Sequence, residues 1–447
     1  MRIVLIAPQY RILHSPQSEM SKNVHRRAQP VLGLAILATA LSRAGHEVLY
    51  LDSVIEDIDQ TIRFDEETDY YGLMPDGIRK RVEAFSPDMI ALTCLTTSQY
   101  PLVRAICFDL LHLDIPIIIG GNHASLNARK VSREGFYSVV CGEADRKIVD
   151  VVGRINSIPE ILDLGRLENL DSSPKIDWGL LPMEKYWTKA LPQNPFPMSR
   201  KTILYETSRG CPEHCVFCST TEFFGNRFRP KSSRRVVEEI SEAVEKMGIE
   251  EVQFCDDSMG VERKRFLEIC DGLAPLKIHL CNPSGIRFYT KSEEKLRENF
   301  RKMRDAGFYQ MTFAVESGND YVLNTIIKKR LDLEWARKAI GIAKDYFRVH
   351  AFFIVGLPGE TEEQIHDTLR YAEEIDVDSY SLSLAQPFPG TELWRLCRRD
   401  AWILPGVGDS DMLLGKQVIR RDDDLNLKKL AEEALVRLNK KGVPKAH

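Results

Sequence analysis

The stretch "SRGCPEHCVFCS", residues 208–219, carries Cys211, Cys215 and Cys218 in the spacing C-x3-C-x2-C, with His214 inside it. Thiols this close together suit metal ligation. The run follows neither the two-residue period of a strand nor a helical stripe, and Gly210 and Pro212 mark a loop. Burial as ordinary core cysteines is therefore the poorer account. A closed zinc site takes four ligands, usually as two separated pairs, and the chain has no second C-x-x-C. His214 as fourth ligand would strain a tetrahedral site. A disulfide leaves one cysteine over. An iron–sulfur cluster accepts thiolates in runs of this kind. With three protein thiolates, a four-iron cluster keeps one iron open to a small molecule. An open position is what separates a catalytic metal site from a closed structural one.

With Phe217 directly before the last cysteine, the motif resembles the signature of the radical S-adenosylmethionine enzymes. The resemblance implies a 4Fe–4S cluster whose open iron chelates the amino and carboxylate groups of S-adenosylmethionine. An electron from the cluster would then break the sulfonium bond to give a 5′-deoxyadenosyl radical.

The elements that must hold these residues fall into an α/β pattern. Residues 1–150 alternate near-continuous apolar strands ("RIVLIAP", "HEVLYLD", "DMIALTCL", "IPIIIGG", "FYSVVCGEAD") with helices such as "VLGLAILATALSRAG", closed by Gly45. That predicts a Rossmann-like parallel sheet covered on both faces, with ligands at the carboxyl ends of its strands. No G-x-G-x-x-G follows the first strand, so a dinucleotide fold of the usual kind is not expected. Residues 151–195, with "LPQNPFPMS", read as a linker. Residues 196–400 hold six strand–helix units, two short of a full eight-stranded barrel. Residues 401–447 end in a charged helix with a solvated face.

A partial (β/α)6 barrel is the fold of the radical S-adenosylmethionine enzymes, and the N-terminal part resembles the cobalamin-binding domain that precedes it in one large class. The resemblance implies that Thr93, Leu95 and Thr96 ("TCLTT"), Gly120, Gly121 and His123 ("GGNHAS"), and Gly142 and Glu143 ("CGEAD") line a cobalamin site. The nucleotide tail would run between loops 93–97 and 120–125. Tyr10 and His14 are candidates for the underside of the corrin. The D-x-H-x-x-G motif that supplies a histidine to cobalt elsewhere is absent.

In the barrel, the resemblance implies that Glu316 ("FAVESG") accepts hydrogen bonds from ribose hydroxyls. Ile354 and Gly356 ("IVGLPGE") resemble the segment that packs the adenine, with Phe352 departing from the usual glycine. Asp256 and Asp257 stand where the family keeps polar groups near the methionine amino group, or form a helix cap. Arg287 is placed to pair with the methionine carboxylate, or serves a structural ion pair. Cys255 and Cys281, also at strand ends, read as buried small apolar residues.

Composition bounds the function. The chain has 447 residues, 43% hydrophobic and 28% charged, enough for two or three cores. A net charge of −4 offers no footprint for nucleic acid. No apolar run nears the ~20 residues of a membrane span. Ten cysteines without a signal peptide point to a reducing cytoplasm. The expected activity is methylation of an unactivated carbon of a small-molecule, lipid or natural-product substrate, with an external flavodoxin- or ferredoxin-type electron donor. Radical cyclisation, rearrangement or oxidation on the same architecture is the alternative. A cobalamin or iron–sulfur carrier without turnover would not need Glu316 and Gly356. A methylthiotransferase would bring three more cluster cysteines in a recognisable pattern, whereas Cys94, Cys107 and Cys141 are scattered.

Overall fold

The computed structural model describes residues 1–13, 27–192, 194, 196–413, 415–423 and 425–439. His14 lies outside the described residues. The chain divides into two compact units, residues 1–193 with 408–413, and residues 194–407 with 414–447.

The first unit is built on a six-stranded parallel sheet: β1 (Arg2–Ala7), β2 (Glu47–Asp52), β3 (Met89–Thr93), β4 (Ile117–Gly120), β5 (Ser138–Cys141) and β6 (Ile161–Asp163). Its order is β2-β1-β3-β4-β5-β6, so the direction of winding reverses between β1 and β3. Leu5 faces Tyr50 on one side and Ala91 on the other, and Leu92 pairs with Ile119. Alternate residues Val4, Ile6, Ile90, Leu92 and Ile119 share one core with Ile78 and Val82 of the helix Pro75–Phe85 and Val103 and Ile106 of the helix Tyr100–Leu110. Burial of both sheet faces explains why these strands read as unbroken apolar runs.

Two features of this unit depart from the sequence reading. A small antiparallel sheet joins Tyr10–Leu13, Thr68–Tyr71 and Thr61–Arg63. The stretch read as a linker is part of the unit. β6 extends the sheet, and Trp178, Leu181, Met183 and Tyr186 are buried. Tyr186 donates its hydroxyl to Asp52 at 2.5 Å. Prolines break the period of this segment, but its large apolar side chains still require cover.

The second unit carries β7 (Thr202–Tyr205), β8 (Glu251–Phe254), β9 (His279–Cys281), β10 (Gln310–Glu316), β11 (Arg348–Val355) and β12 (Ser379–Leu384). They form two parallel triplets, β7-β8-β9 and β10-β11-β12, joined by a parallel bridge between Leu280 and Phe308. Helices follow the strands in the expected alternation. Ser233–Met247 starts at the Ser232 cap and stops at Gly248, which is left-handed at φ +64°. The C-terminal helix Leu427–Asn439 is charged on one side only. Leu427, Ala431, Ala434 and Leu438 are buried, and the first two share a core with Val355, Ile365 and Leu384. Among the described residues, no helix is long and apolar enough to cross a membrane.

Candidate functional site

In the second unit the loop after β7 bears Cys211, Cys215 and Cys218, all free and partly exposed. All three line one cavity of about 600 Å³, together with Phe217, Asp257, Arg287, Glu316 and Lys329. The loop is tied down by its backbone. Cys211 N–H donates to Gly225 O at 3.3 Å, and Val216 N–H to Ile327 O at 3.1 Å. Gly210 opens the loop at φ +84°, where a Cβ would lie 2.3 Å from Arg227 O. Among the described residues no three Cys, His, Asp or Glu side chains are grouped as ligands of one metal ion. A cluster with one thiolate per iron asks for spaced thiols around a shared cavity.

The acidic pair after β8 divides its work. Asp256 is fully buried and does not line the cavity. Its carboxylate accepts from Thr207 N–H at 3.0 Å and from the Thr207 and Ser208 hydroxyls at 2.5 Å. It holds the strand that leads into the cysteine loop. Asp257 lines the cavity, accepting from Gly210 N–H at 3.3 Å and the Thr220 hydroxyl at 3.0 Å, one on each side of the cysteines. Burial, with Glu206 and Asp256 nearby, pushes its carboxyl up to about 7.

Glu316 ends β10 in the left-handed region at φ +72°, just after a register shift between Ala314 and Glu316. It is 7% exposed, and its Oε1 accepts from Lys329 Nζ at 2.7 Å. Lys329 lies between two further left-handed residues, Lys328 and Arg330. Arg287 reaches the cavity but is engaged there. It donates to Glu213 at 2.9 Å and to the carbonyls of Lys329 and Arg330 at 3.1 and 2.7 Å. That arrangement is the structural ion pair, and it clamps the cysteine loop to segment 329–330.

Ile354 is half-buried on β11, and neither it nor Gly356 is among the residues lining the cysteine cavity. Gly356 has φ +83°, and a Cβ there would meet Leu427 Cδ2 at 2.4 Å. Its N–H and that of Leu357 donate to Glu360 Oε2 at 2.6 and 3.0 Å. Cys281 is buried, with its sulfur 3.2 Å from Asn194 Nδ2, while Cys255 is partly exposed.

In the first unit the expected loops follow β3, β4 and β5 at the carboxyl edge of the sheet, all on the β3 side of the switch between β1 and β3, while the segment with Tyr10 follows β1. The tail slot expected between loops 93–97 and 120–125 is instead bridged by hydrogen bonds. Cys94 N–H donates to Gly120 O at 2.9 Å, and His123 N–H to Cys94 O at 3.1 Å. Gly121, at φ +98°, makes this approach possible, since a Cβ would stand 2.6 Å from Cys94 O. Thr93, His123 and Glu143 are buried; Leu95, Thr96, Gly120, Gly121 and Gly142 remain accessible. His123 hydrogen bonds with Thr97 Oγ1 at 3.0 Å, its ring lies 4.6 Å from that of Tyr100, and burial lowers its pKa to about 4. Glu143 accepts from Leu167 N–H at 3.1 Å. Tyr10 pairs in register with Tyr71, and burial, then Asp52, raises its hydroxyl pKa.

Lys329, Arg330 and Leu331 line the cavity without a role assigned from the sequence, and Asp257 has only the reading it shares with Asp256. The two members of the acidic pair are indistinguishable in the sequence, and a lysine within "IIKKRLD" reads as solvated charge.

Residues 205–372 match the Radical SAM superfamily model, and residues 28–152 match the B12 binding domain model. The cytidylyl-2-hydroxyethylphosphonate methyltransferase of Streptomyces wedmorensis is 28% identical over 444 residues, covering 88% of this chain and 82% of that protein. The anaerobic magnesium-protoporphyrin IX monomethyl ester cyclase of Rubrivivax gelatinosus is 26% identical over 423 residues, covering 88% and 70%. The solved structure of the radical S-adenosylmethionine methyltransferase TsrM from Kitasatospora setae, with cobalamin and a 4Fe–4S cluster bound, superposes with a TM-score of 0.63 at 15% identity. It covers 91% of this chain and 76% of that one, a likeness of fold.

Proposed function

The chain belongs to the cobalamin-binding radical S-adenosylmethionine enzymes, and from that membership we propose that it methylates an unactivated carbon of a small-molecule substrate. Its cofactors are a 4Fe–4S cluster, S-adenosylmethionine and cobalamin. When bound, they supply hydrogen-abstracting radical chemistry and a transferable methyl group, while the protein supplies orientation and shelter. The observation that carries the reading is the grouping of the three cysteines with Phe217, Asp257 and Glu316 around one cavity.

In this reading Cys211, Cys215 and Cys218 hold the cluster, and Asp257 keeps both ends of their loop in place. Glu316, fixed by Lys329, offers carboxylate oxygen to the ribose hydroxyls of S-adenosylmethionine. Arg287 acts through Glu213 on the loop. Gly356 shapes the turn after β11. At the edge of the first unit, Leu95, Thr96, Gly120, Gly121 and Gly142 offer small, accessible surface to cobalamin, and buried Thr93, His123 and Glu143 hold that surface. Electrons come from an external donor of flavodoxin or ferredoxin type. Ten free cysteines suit a reducing cytoplasm.

The phosphonate methyltransferase relative supports methyl transfer; the cyclase relative favours radical cyclisation as second reading. Anaerobic protein loaded with iron, sulfide and cobalamin, then reduced with titanium(III) citrate and given S-adenosylmethionine, separates them. Methyl transfer requires S-adenosylhomocysteine and methylated cobalamin alongside 5′-deoxyadenosine. Deoxyadenosine alone, under full reduction with cobalamin bound and substrate consumed, moves the assignment to cyclisation or rearrangement.

A further inference from the structure

Residues 408–413 belong to the first unit although more than two hundred residues of the second precede them. They enter as a short turn, Asp409–Asp411, closed by the Gly408 N–H on Asp411 Oδ2 at 2.9 Å, with Met412 buried behind it. Arg11 receives this turn. Its side chain is 1% exposed, and it donates to Ser410 O at 2.8 Å with Asp411 Oδ1 at 3.5 Å. The same guanidinium donates to Thr68 Oγ1 at 3.0 Å and Asp65 at 2.6 Å. A buried, multiply bonded arginine is a rigid anchor.

The turn packs on Thr97–Gln99, the end of the loop after β3. That loop is internally held by Gln99, whose Oε1 accepts from Leu95 and Thr96 N–H at 3.3 and 3.2 Å. Asp409 also pairs with Lys130 at 3.1 Å. Lys130 sits on the short helix Ala128–Val131, which follows the helical turn Asn122–Leu126 that bears His123 just after Gly120 and Gly121. One six-residue segment therefore links the end of the loop after β3, beside the switch between β1 and β3 where sheets of this winding bind their ligands, to the element that follows β4.

We propose that Gly408–Leu413 is a positioning clasp for cobalamin, holding the loops after β3 and β4 in the geometry that binds it. The inference rests on the reading that this edge is the cobalamin site. Releasing the clasp leaves every accessible edge residue in place but lowers the fraction of molecules in the binding-competent arrangement. Apparent affinity falls by that fraction.

The test is an anaerobic absorbance titration of the full-length, cluster-loaded protein with hydroxocobalamin. Asp409→Ala/Asp411→Ala should weaken binding about tenfold, as expected if the competent fraction drops to roughly a tenth. Iron content and reductive cleavage of S-adenosylmethionine should stay at the unmodified level, and Asp411→Asn, which keeps an acceptor, should recover most of the affinity. Lys130→Ala severs only the exposed Asp409 link and should cost about two- to threefold with no change in the unfolding midpoint. Unchanged affinity in the double variant overturns the clasp. So does tighter binding, which would make the segment an occupant of the site. If the double variant fails to fold, unchanged affinity in Lys130→Ala overturns it alone. An unmodified protein that binds no cobalamin removes the underlying assignment, a distinct outcome.

Discussion

Glu316 holds a left-handed backbone that costs a residue with a Cβ about 1–2 kcal/mol, and such strain persists where surrounding contacts impose it. The bulge before it and the Lys329 ammonium are those contacts here. Glu316→Ala should weaken S-adenosylmethionine binding by about 1.5–3 kcal/mol, the range for a hydrogen bond to a charged group, measured by anaerobic equilibrium dialysis. Cobalamin affinity should not change. Glu360 makes a pH prediction. Burial pushes its carboxyl up to about 7 from an ordinary 4.5, and its Oε1 has no partner. The folded state therefore binds more protons than the unfolded one between those values, so this group lowers stability as pH rises from 4.5 to 7. Glu360→Gln should flatten that slope, matching the unmodified protein near pH 4 and exceeding it above pH 7 by on the order of 3 kcal/mol in urea unfolding. The cysteines and Glu316 were legible because residue type and strand-end position suffice to mark them. Asp256 and Asp257 were not separable, because only the direction of each side chain decides which one faces the cavity.

Loops and helices impose their own tests. Gly210→Ala would place a Cβ against Arg227 O in a left-handed backbone, so the cysteine loop must shift. Iron retained after anaerobic reconstitution should fall well below that of the unmodified protein while far-ultraviolet circular dichroism is preserved. Leu427→Ala empties a buried position beneath the turn at Gly356 and should cost about 2–5 kcal/mol, the range for such truncations. All eleven strands that the sequence marked are present as strands, in the six-stranded sheet and the two parallel triplets. They were legible because a strand buried on both faces leaves an unbroken apolar run. β6 and the hairpin Thr61–Tyr71 were not, since an edge strand of three residues has no period to read and "TIRFDEETDYY" buries its tyrosines behind a charged surface. The C-terminal helix showed its charges first; its apolar stripe emerges only at the spacing of Leu427, Ala431, Ala434 and Leu438.

For the whole molecule, replacing Cys211, Cys215 and Cys218 together by Ala should abolish both iron binding and S-adenosylmethionine cleavage; cleavage that survives removes the cluster from the mechanism. The cobalamin edge should still titrate in that variant, because its residues belong to a separate compact unit. The six strands of that unit are complete by residue 163, yet its final piece is residue 413. During translation, at about 5–20 residues per second, that piece follows the first strand by roughly 20–80 s. Throughout this interval the nascent sheet carries Arg11 without Ser410 and Asp411. The loops at its edge thus mature only after the ribosome has made the barrel's last strand, so a chain stalled before residue 408 would own every cluster ligand and still lack a finished cofactor cradle.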